Sequence, residues 1–250
     1  MEVHHHPNVE KKNFKEYFLE FLMIFLAVTM GFIAENIREH FVDKWKEKHY
    51  IESLYEDLKN DTARLSVLID YDDKKIAALS NMSNCYDTVM KNVKASYCMA
   101  DMVDQSRTNR NFDISDRTLR QLANAGGFHV LEQSDADSII AYETLFRNYH
   151  NYESTAFQEA QDNVRNTLNL LADFRANKEL QSSPSITGDT AKGKLDMPLL
   201  FSDDKVLLNK YFNESLIYLR VHKGQRGFLI RLKARAEGLI KYYKDKHQLD

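Results

Sequence analysis

The apolar and polar positions divide the chain into one uninterrupted apolar stretch followed by several amphipathic ones. The stretch "YFLEFLMIFLAVTMGFIAEN" (17–36) holds 14 residues without a charge, Phe21 to Ala34. That length alone suits a core helix or a signal-peptide core as well as a membrane span. Counting back to Phe18 gives 17 residues, the lower limit for crossing the hydrocarbon if Glu20 snorkels to the near interface. The stretch is apolar on every side, whereas a surface helix of a soluble domain would carry a polar face. Tyr17 and Phe18 stand where interfacial aromatics belong. A cut after Ala34 would have Phe32 where a small residue is required, and charged helix follows without a break. The pattern predicts an uncleaved anchor over 17–36, preceded by a polar tail over 1–16.

Beyond the anchor, apolar residues recur at helical spacing. Ile51, Leu54, Leu58, Leu65, Leu68, Leu79, Met82, Tyr86, Val89 and Val93 follow an alternating three–four register. Asp61, Asp72 and Lys75 fall on the same seam and interrupt it. Neither "KNDT" nor "DYDDKK" contains Gly or Pro, so one long or gently broken helix is expected. Residues 94–114 lose the pattern and read as a loop. Ser115 is placed to cap "DRTLRQLANAGG", a short helix stopped by Gly126 and Gly127. Ser134 and Asp137 resemble a capping box opening a helix to about Glu179. A flexible loop is expected near 182–201, where two of the three prolines lie. Ser202, Asp203 and Asp204 mark the next helix start. That helix would bury Val206, Leu207, Phe212, Leu216 and Leu219, with a kink or turn at "HKGQRG" (222–227). Leu229, Leu232, Leu239 and Tyr243 continue the apolar pattern to the end.

Composition supports this reading. Eight Gly and three Pro in 250 residues are few for a strand- and turn-rich fold. The expected fold is all-α: an N-terminal transmembrane helix continuing into a long helix and an antiparallel helical bundle over 37–250. Three long antiparallel helices and a short one can close a core of this size.

The charge balance, 34 basic against 37 acidic residues, offers no basic footprint for nucleic acid. Lys11, Lys12 and Lys15 flank the anchor on its N-terminal side, and Arg38 and Lys44 on the other. The positive-inside rule leans slightly toward the large domain lying outside. Cys85 and Cys98 on one continuous helix would stand about 20 Å apart, too far for a disulfide unless the helix breaks between them. As two small apolar thiols they leave the redox compartment open.

Little in the sequence points to chemistry. No nucleotide-binding loop, zinc motif or nucleophile elbow is present, and neither an enzymatic activity nor a cofactor is expected. His4, His5 and His6 are weak metal candidates, because imidazole suits Zn, Cu and Ni. Tyr149, His150 and Tyr152 in "RNYHNYE" could line a polar pocket, although such residues more often sit at a core boundary. His129, after the double Gly, reads as a buried or capped side chain. The run Asp70, Asp72, Asp73 lacks the Gly and terminal Glu of a calcium loop and reads as solvated surface. Glu20 is an intramembrane carboxylate, by default a candidate for ion or proton traffic or helix pairing.

Two segments carry a resemblance. "FLEFLMIFLAVTMGFIAENIRE", followed by "KEKHYIESLYEDLKNDTARL" with Tyr50, Leu54, Asp57, Leu58 and Asp61, resembles the anchor region of uncharacterised single-pass membrane-anchored helical proteins of Bacteroidetes. "TLRQLANAGGFHVLEQSDADSIIAYETLFRNYHNYE" resembles their middle segment. The resemblance spans roughly residues 14–153 and implies an inner-membrane anchor with a helical domain, without assigning a site.

The leading expectation is a non-enzymatic single-pass membrane protein with a periplasmic helical domain. Its partners would be the lipid bilayer and a second copy of the chain or another membrane protein, because an interrupted coiled-coil seam pairs readily. A membrane-anchored sensor holding a small ligand between its helices, or a subunit of an ion- or proton-conducting assembly using Glu20, are the alternatives.

Overall fold

The structure, a computed structural model, describes residues 13–124, 126–182 and 198–249. The His4–His6 run lies outside the described residues. The fold is all-α. Among the described residues the only extended pairing is an isolated antiparallel bridge between Ala172 and Leu200.

The helices are α1 (Phe14–Ser80), α2 (Met82–Lys91), α3 (Ala100–Arg107), α4 (Arg117–Asn124), α5 (Gln133–Tyr152), α6 (Gln158–Leu171), α7 (Phe174–Ser182) and α8 (Lys205–His247). Short 3-10 segments cover Val93–Met99 and Gly127–His129, and a π-turn over Glu153–Phe157 joins α5 to α6. The chain forms two compact units, Met1–Tyr50 and Ile51–Asp250.

In the first unit, the large apolar side chains from Phe18 to Ile37, Leu22 excepted, are 48–73 % exposed around α1. One window of α1 is long and apolar enough to cross a membrane, and none of it is buried.

In the second unit the pattern reverses. Ile51, Leu54, Leu58, Leu65 and Leu79 of α1 are buried at the predicted three–four spacing. As the long-helix reading expects, α1 runs unbroken through "KNDT" and "DYDDKK", since nothing between Glu35 and Ser80 is Gly or Pro. Pairings at Asp72–His222 and Lys75–Tyr218 run α8 antiparallel to α1. Those at Tyr149–Gln225 and Gln161–Tyr218 run it antiparallel to α5 and α6.

The connections depart from expectation in four places. Residues 93–107 are largely helical, and only the stretch from Thr108 to Asp116 lacks helix. Asn92 breaks the chain with an extended backbone, its side chain accepting from Lys94 N at 3.1 Å. That turn lets Cys85 and Cys98 meet as a disulfide, with Cα atoms 5.7 Å apart. The α5 start also differs. Glu132 is its N-cap, and Ser134 instead meets Tyr242 (3.1 Å) and Lys246 (2.9 Å) on α8. The helix expected from Ser134 to about Glu179 is interrupted at Ala172 and Asp173, where Asp173 accepts from Arg175 N at 2.8 Å and opens α7.

At the other helix boundaries the signals act as expected. Gly126 ends α4 at φ +64°, a left-handed conformation that favours glycine. Asp204 caps α8, accepting from Val206 N (2.8 Å) and Leu207 N (3.3 Å). No kink occurs at 222–227, because α8 is continuous to His247. Leu216 and Val206, expected inside, are 58 % and 77 % exposed.

Candidate functional site

The inward seam of α8 runs Leu208, Tyr211, Ser215, Tyr218, His222, Gln225, Leu229, Leu232, Ala236, Leu239 and Tyr243, every one buried. The spacing is a regular alternation of three and four, so helical geometry places all of them on one face whatever their polarity. The aliphatic half packs as an ordinary core. The half from Tyr211 to Gln225 instead builds a polar column through the bundle.

At its centre Asp72 and Lys75 of α1 meet His222 and Tyr218 of α8 and Gln161 of α6. All five are at most 3 % exposed. Asp72 Oδ1 lies 3.3 Å from His222 Nδ1. Tyr218 Oη accepts from Lys75 Nζ at 3.3 Å and from Gln161 Nε2 at 3.2 Å. Lys75 also donates to the Thr108 carbonyl and stands over the Tyr71 and Tyr218 rings, 5.3 and 5.7 Å from their centroids. Phe157, carried by the π-turn, closes the cluster edge-on to His222 at 4.7 Å between ring centroids.

Burial dominates the electrostatics here. It pulls the Lys75 ammonium down to about 7; Asp72 and Asp104 oppose that and Arg165 adds to it. His222 is likewise held below its ordinary value by burial, with Asp72 pulling upward and Lys75 downward. Tyr218 is pushed up by burial, so its hydroxyl stays protonated. Asp72 Oδ2, His222 Nε2 and Gln225 Oε1 are buried with no protein hydrogen-bond partner. With a lysine lowered to about 7 and a lowered histidine in contact with a buried carboxylate, the cluster gathers its ionisable groups where burial disfavours their charged forms.

Two further polar layers flank it. Tyr149 Oη accepts from Phe112 N at 3.1 Å and from Gln225 Nε2 at 3.4 Å. Asp61 accepts from Ser115 N and Oγ, both at 2.8 Å, and from Tyr142 Oη at 2.9 Å. Burial raises the Asp61 carboxyl despite these three donors. Ser115, expected to cap α4, is therefore engaged by α1.

The proposed polar trio divides between environments. Tyr149 is buried, Tyr152 donates to the Val221 carbonyl at 3.0 Å, and His150 is exposed and stacked on Phe146. His129 is exposed, its Nδ1 bonded to the Gly126 carbonyl. Glu20 lies on the exposed surface of α1 within the apolar stretch. Asp72 corrects the solvated reading of the acidic run: it is 1 % exposed, because it occupies a seam position, while Asp70 and Asp73 point outward.

A surface groove of about 340 Å³ lies between α4 and α5. Its apolar floor includes Ile114, Leu119, Phe128, Ile140 and Phe146, with Asp116, Arg120 and Glu143 at hand. Neither Tyr149 nor His150 lines it. No family model, curated protein or solved structure matches the chain.

Proposed function

We propose that the chain is a non-enzymatic single-pass protein of a bacterial inner membrane, whose helical domain faces the periplasm and binds a partner or a second copy of itself. One observation carries the membrane reading: the exposure of the large apolar side chains around α1 from Phe18 to Ile37, with Leu22 alone half-buried. An apolar surface of that extent is not sustained in water, and its length suits a bilayer core. The Cys85–Cys98 disulfide supports the orientation, because such bonds persist on the oxidising side of the membrane. Lys15 on the N-terminal side, with Lys11 and Lys12, leans the same way. The likeness of residues 14–153 to membrane-anchored proteins of Bacteroidetes points to the inner membrane.

Protease added to intact spheroplasts is expected to digest the helical domain and leave a membrane-bound N-terminal fragment. Full protection of that domain until lysis would reverse the orientation. Cross-linking in native membranes should yield species larger than the monomer; monomer alone would remove the association.

The α4–α5 groove favours a second reading, a membrane-anchored sensor. Its volume falls at the low end for small-molecule sites, and its apolar floor with a few polar groups fits that class. A small amphipathic molecule released on denaturing the protein purified from its own membrane would support it.

A further inference from the structure

Past the apolar stretch, α1 keeps an exposed aromatic strip. Ile37, Phe41 and Trp45 are 53 %, 69 % and 69 % exposed. Their spacing of four places them along one side of the helix, each about 40° from the last. His49 continues the strip, its ring stacked on Trp45 at 5.8 Å between centroids and 7° between planes. Glu47, on another side of the same turns, is buried. The strip is thus selective, and it continues directly from the membrane-facing surface.

Two lengths fit a bilayer. Phe18 to Ile37 rises about 29 Å at 1.5 Å per residue, close to the hydrocarbon thickness of about 30 Å. Tyr17 to Trp45 rises about 42 Å, inside the roughly 40–45 Å that includes both headgroup layers. Aromatic residues with a polar handle favour those layers.

The charges between Glu35 and Lys48 suit the same setting. Arg38, Lys44, Lys46 and Lys48 balance Glu35, Glu39, Asp43 and Glu47. Three local ion pairs hold six of them: Glu35–Arg38, Asp43–Lys46 at 3.2 Å and Lys44–Glu47 at 2.8 Å. A segment without net charge has no electrostatic need for anionic lipid.

We propose that Phe41 and Trp45 form an interfacial belt seated in the headgroup layer of the bilayer, so that the lipid-contacting part of α1 extends to Trp45. This rests on the anchor reading of 17–36 and adds a second lipid contact beyond it. The occupant is the zwitterionic headgroup and carbonyl region, and the depth of Trp45 is set by aromatic partitioning rather than by lipid charge.

Trp45 is the one tryptophan of the chain, so its fluorescence reports this site alone. The full chain is reconstituted in phosphatidylcholine vesicles, with a Phe25→Trp, Trp45→Phe double variant reporting on the span. Trp45 should be blue-shifted and protected severalfold from iodide. Lipids brominated near the carbonyl end of the acyl chain should quench it more than those brominated near the methyl end. Adding anionic lipid or salt should leave these values unchanged. Quenching of the Phe25 reporter by deep bromines, with Trp45 open to iodide and untouched by brominated lipid, would overturn the belt and keep the anchor. Trp45 shielded from iodide yet insensitive to brominated lipid would mark a protein contact and also overturn it. If the Phe25 reporter escapes lipid quenching, the anchor falls and the belt with it.

Discussion

His222 Nδ1 lies 3.3 Å from Asp72 Oδ1, in a bundle interior where neither side chain is more than 2 % exposed. The pair joins α1 to α8 across residues far apart in sequence. Lys75, one turn along α1, adds a second ionisable group to the same interior.

Those groups give the domain a pH-dependent stability. Lys75 has a folded value of about 7 against an ordinary 10.5. Between those limits the unfolded chain binds more protons, so stability rises with pH across that window. His222 is also lowered, which adds a penalty as pH falls below its ordinary value of 6.5. The raised carboxyls of Asp61, Asp104 and Glu153 favour the fold in acid and lose that contribution as pH rises through their folded values. The Lys75 contribution is therefore best read from pH 7 upward. Denaturant melts of the full chain in nanodiscs should gain about 2 kcal/mol between pH 7 and 9. That window lies below the range where tyrosines ionise in the unfolded chain and the raised values of Tyr142, Tyr149, Tyr211, Tyr218 and Tyr243 begin to cost stability. Lys75→Met should flatten that slope, and an unchanged slope would contradict the assignment.

Asp61 holds three donors at once. Asp61→Ala strands the Ser115 N–H and the Tyr142 hydroxyl and should destabilise the domain by about 2–4 kcal/mol. Asp61→Asn, which still accepts, should cost less, about 1–2 kcal/mol. Urea unfolding followed by far-UV circular dichroism separates the two.

Gly224 and Gly227 make a matched pair on α8. A Cβ at Gly224 would run into Tyr152 Oη and stand 2.9 Å from Tyr152 Cζ, whereas one at Gly227 meets nothing within 4 Å. Gly224→Ala should destabilise by about 1–3 kcal/mol through forced repacking. Gly227→Ala should be neutral or stabilise by up to about 1 kcal/mol, since alanine favours helix. Thermal melts of both variants, with Gly224→Ala, Tyr152→Phe to relieve the hydroxyl contact in part, test the close approach directly.

The Cys85–Cys98 bond closes a short loop, with a sequence separation of 13. Replacing both cysteines by serine should lower stability by about 2–3 kcal/mol. Protein alkylated without reduction, straight from cells, should carry no label at either position in its mass spectrum.

Much of the second unit is legible in the α1 seam, including the three polar residues that interrupt it. Asp61, Asp72 and Lys75 follow the same spacing as Leu58 and Leu65, and all are buried. The spacing was the better guide than polarity. On α8 that lesson decides the outcome. Leu216 is apolar but off the seam and exposed, while Ser215, His222 and Gln225 are polar, on the seam and buried. Apolar residues alone therefore suggest a kink at 222–227 that does not exist. The helical stretch over 93–107 escapes detection for another reason. Its Ser96 is buried because Oγ accepts from Leu199 N (3.1 Å) and Leu200 N (3.3 Å), a link to residues a hundred positions away that no local pattern announces. The π-turn is equally hidden, since nothing in "ESTAF" differs from ordinary helix.

That π-turn has a consequence for the length of the chain. Tyr149, Glu153, Phe157 and Ala160 are all buried, two successive steps of four where an even three–four alternation allows one. The surplus of one residue is absorbed between Glu153 and Phe157. Deleting one residue there would remove the surplus and restore regular helix, with Gln161, Val164 and Leu168 still on the inward face. Inserting one more would instead turn them out of the interior together, by about 100°. The stretch therefore tolerates the loss of one exposed residue, such as Ser154 or Thr155, better than the gain of one.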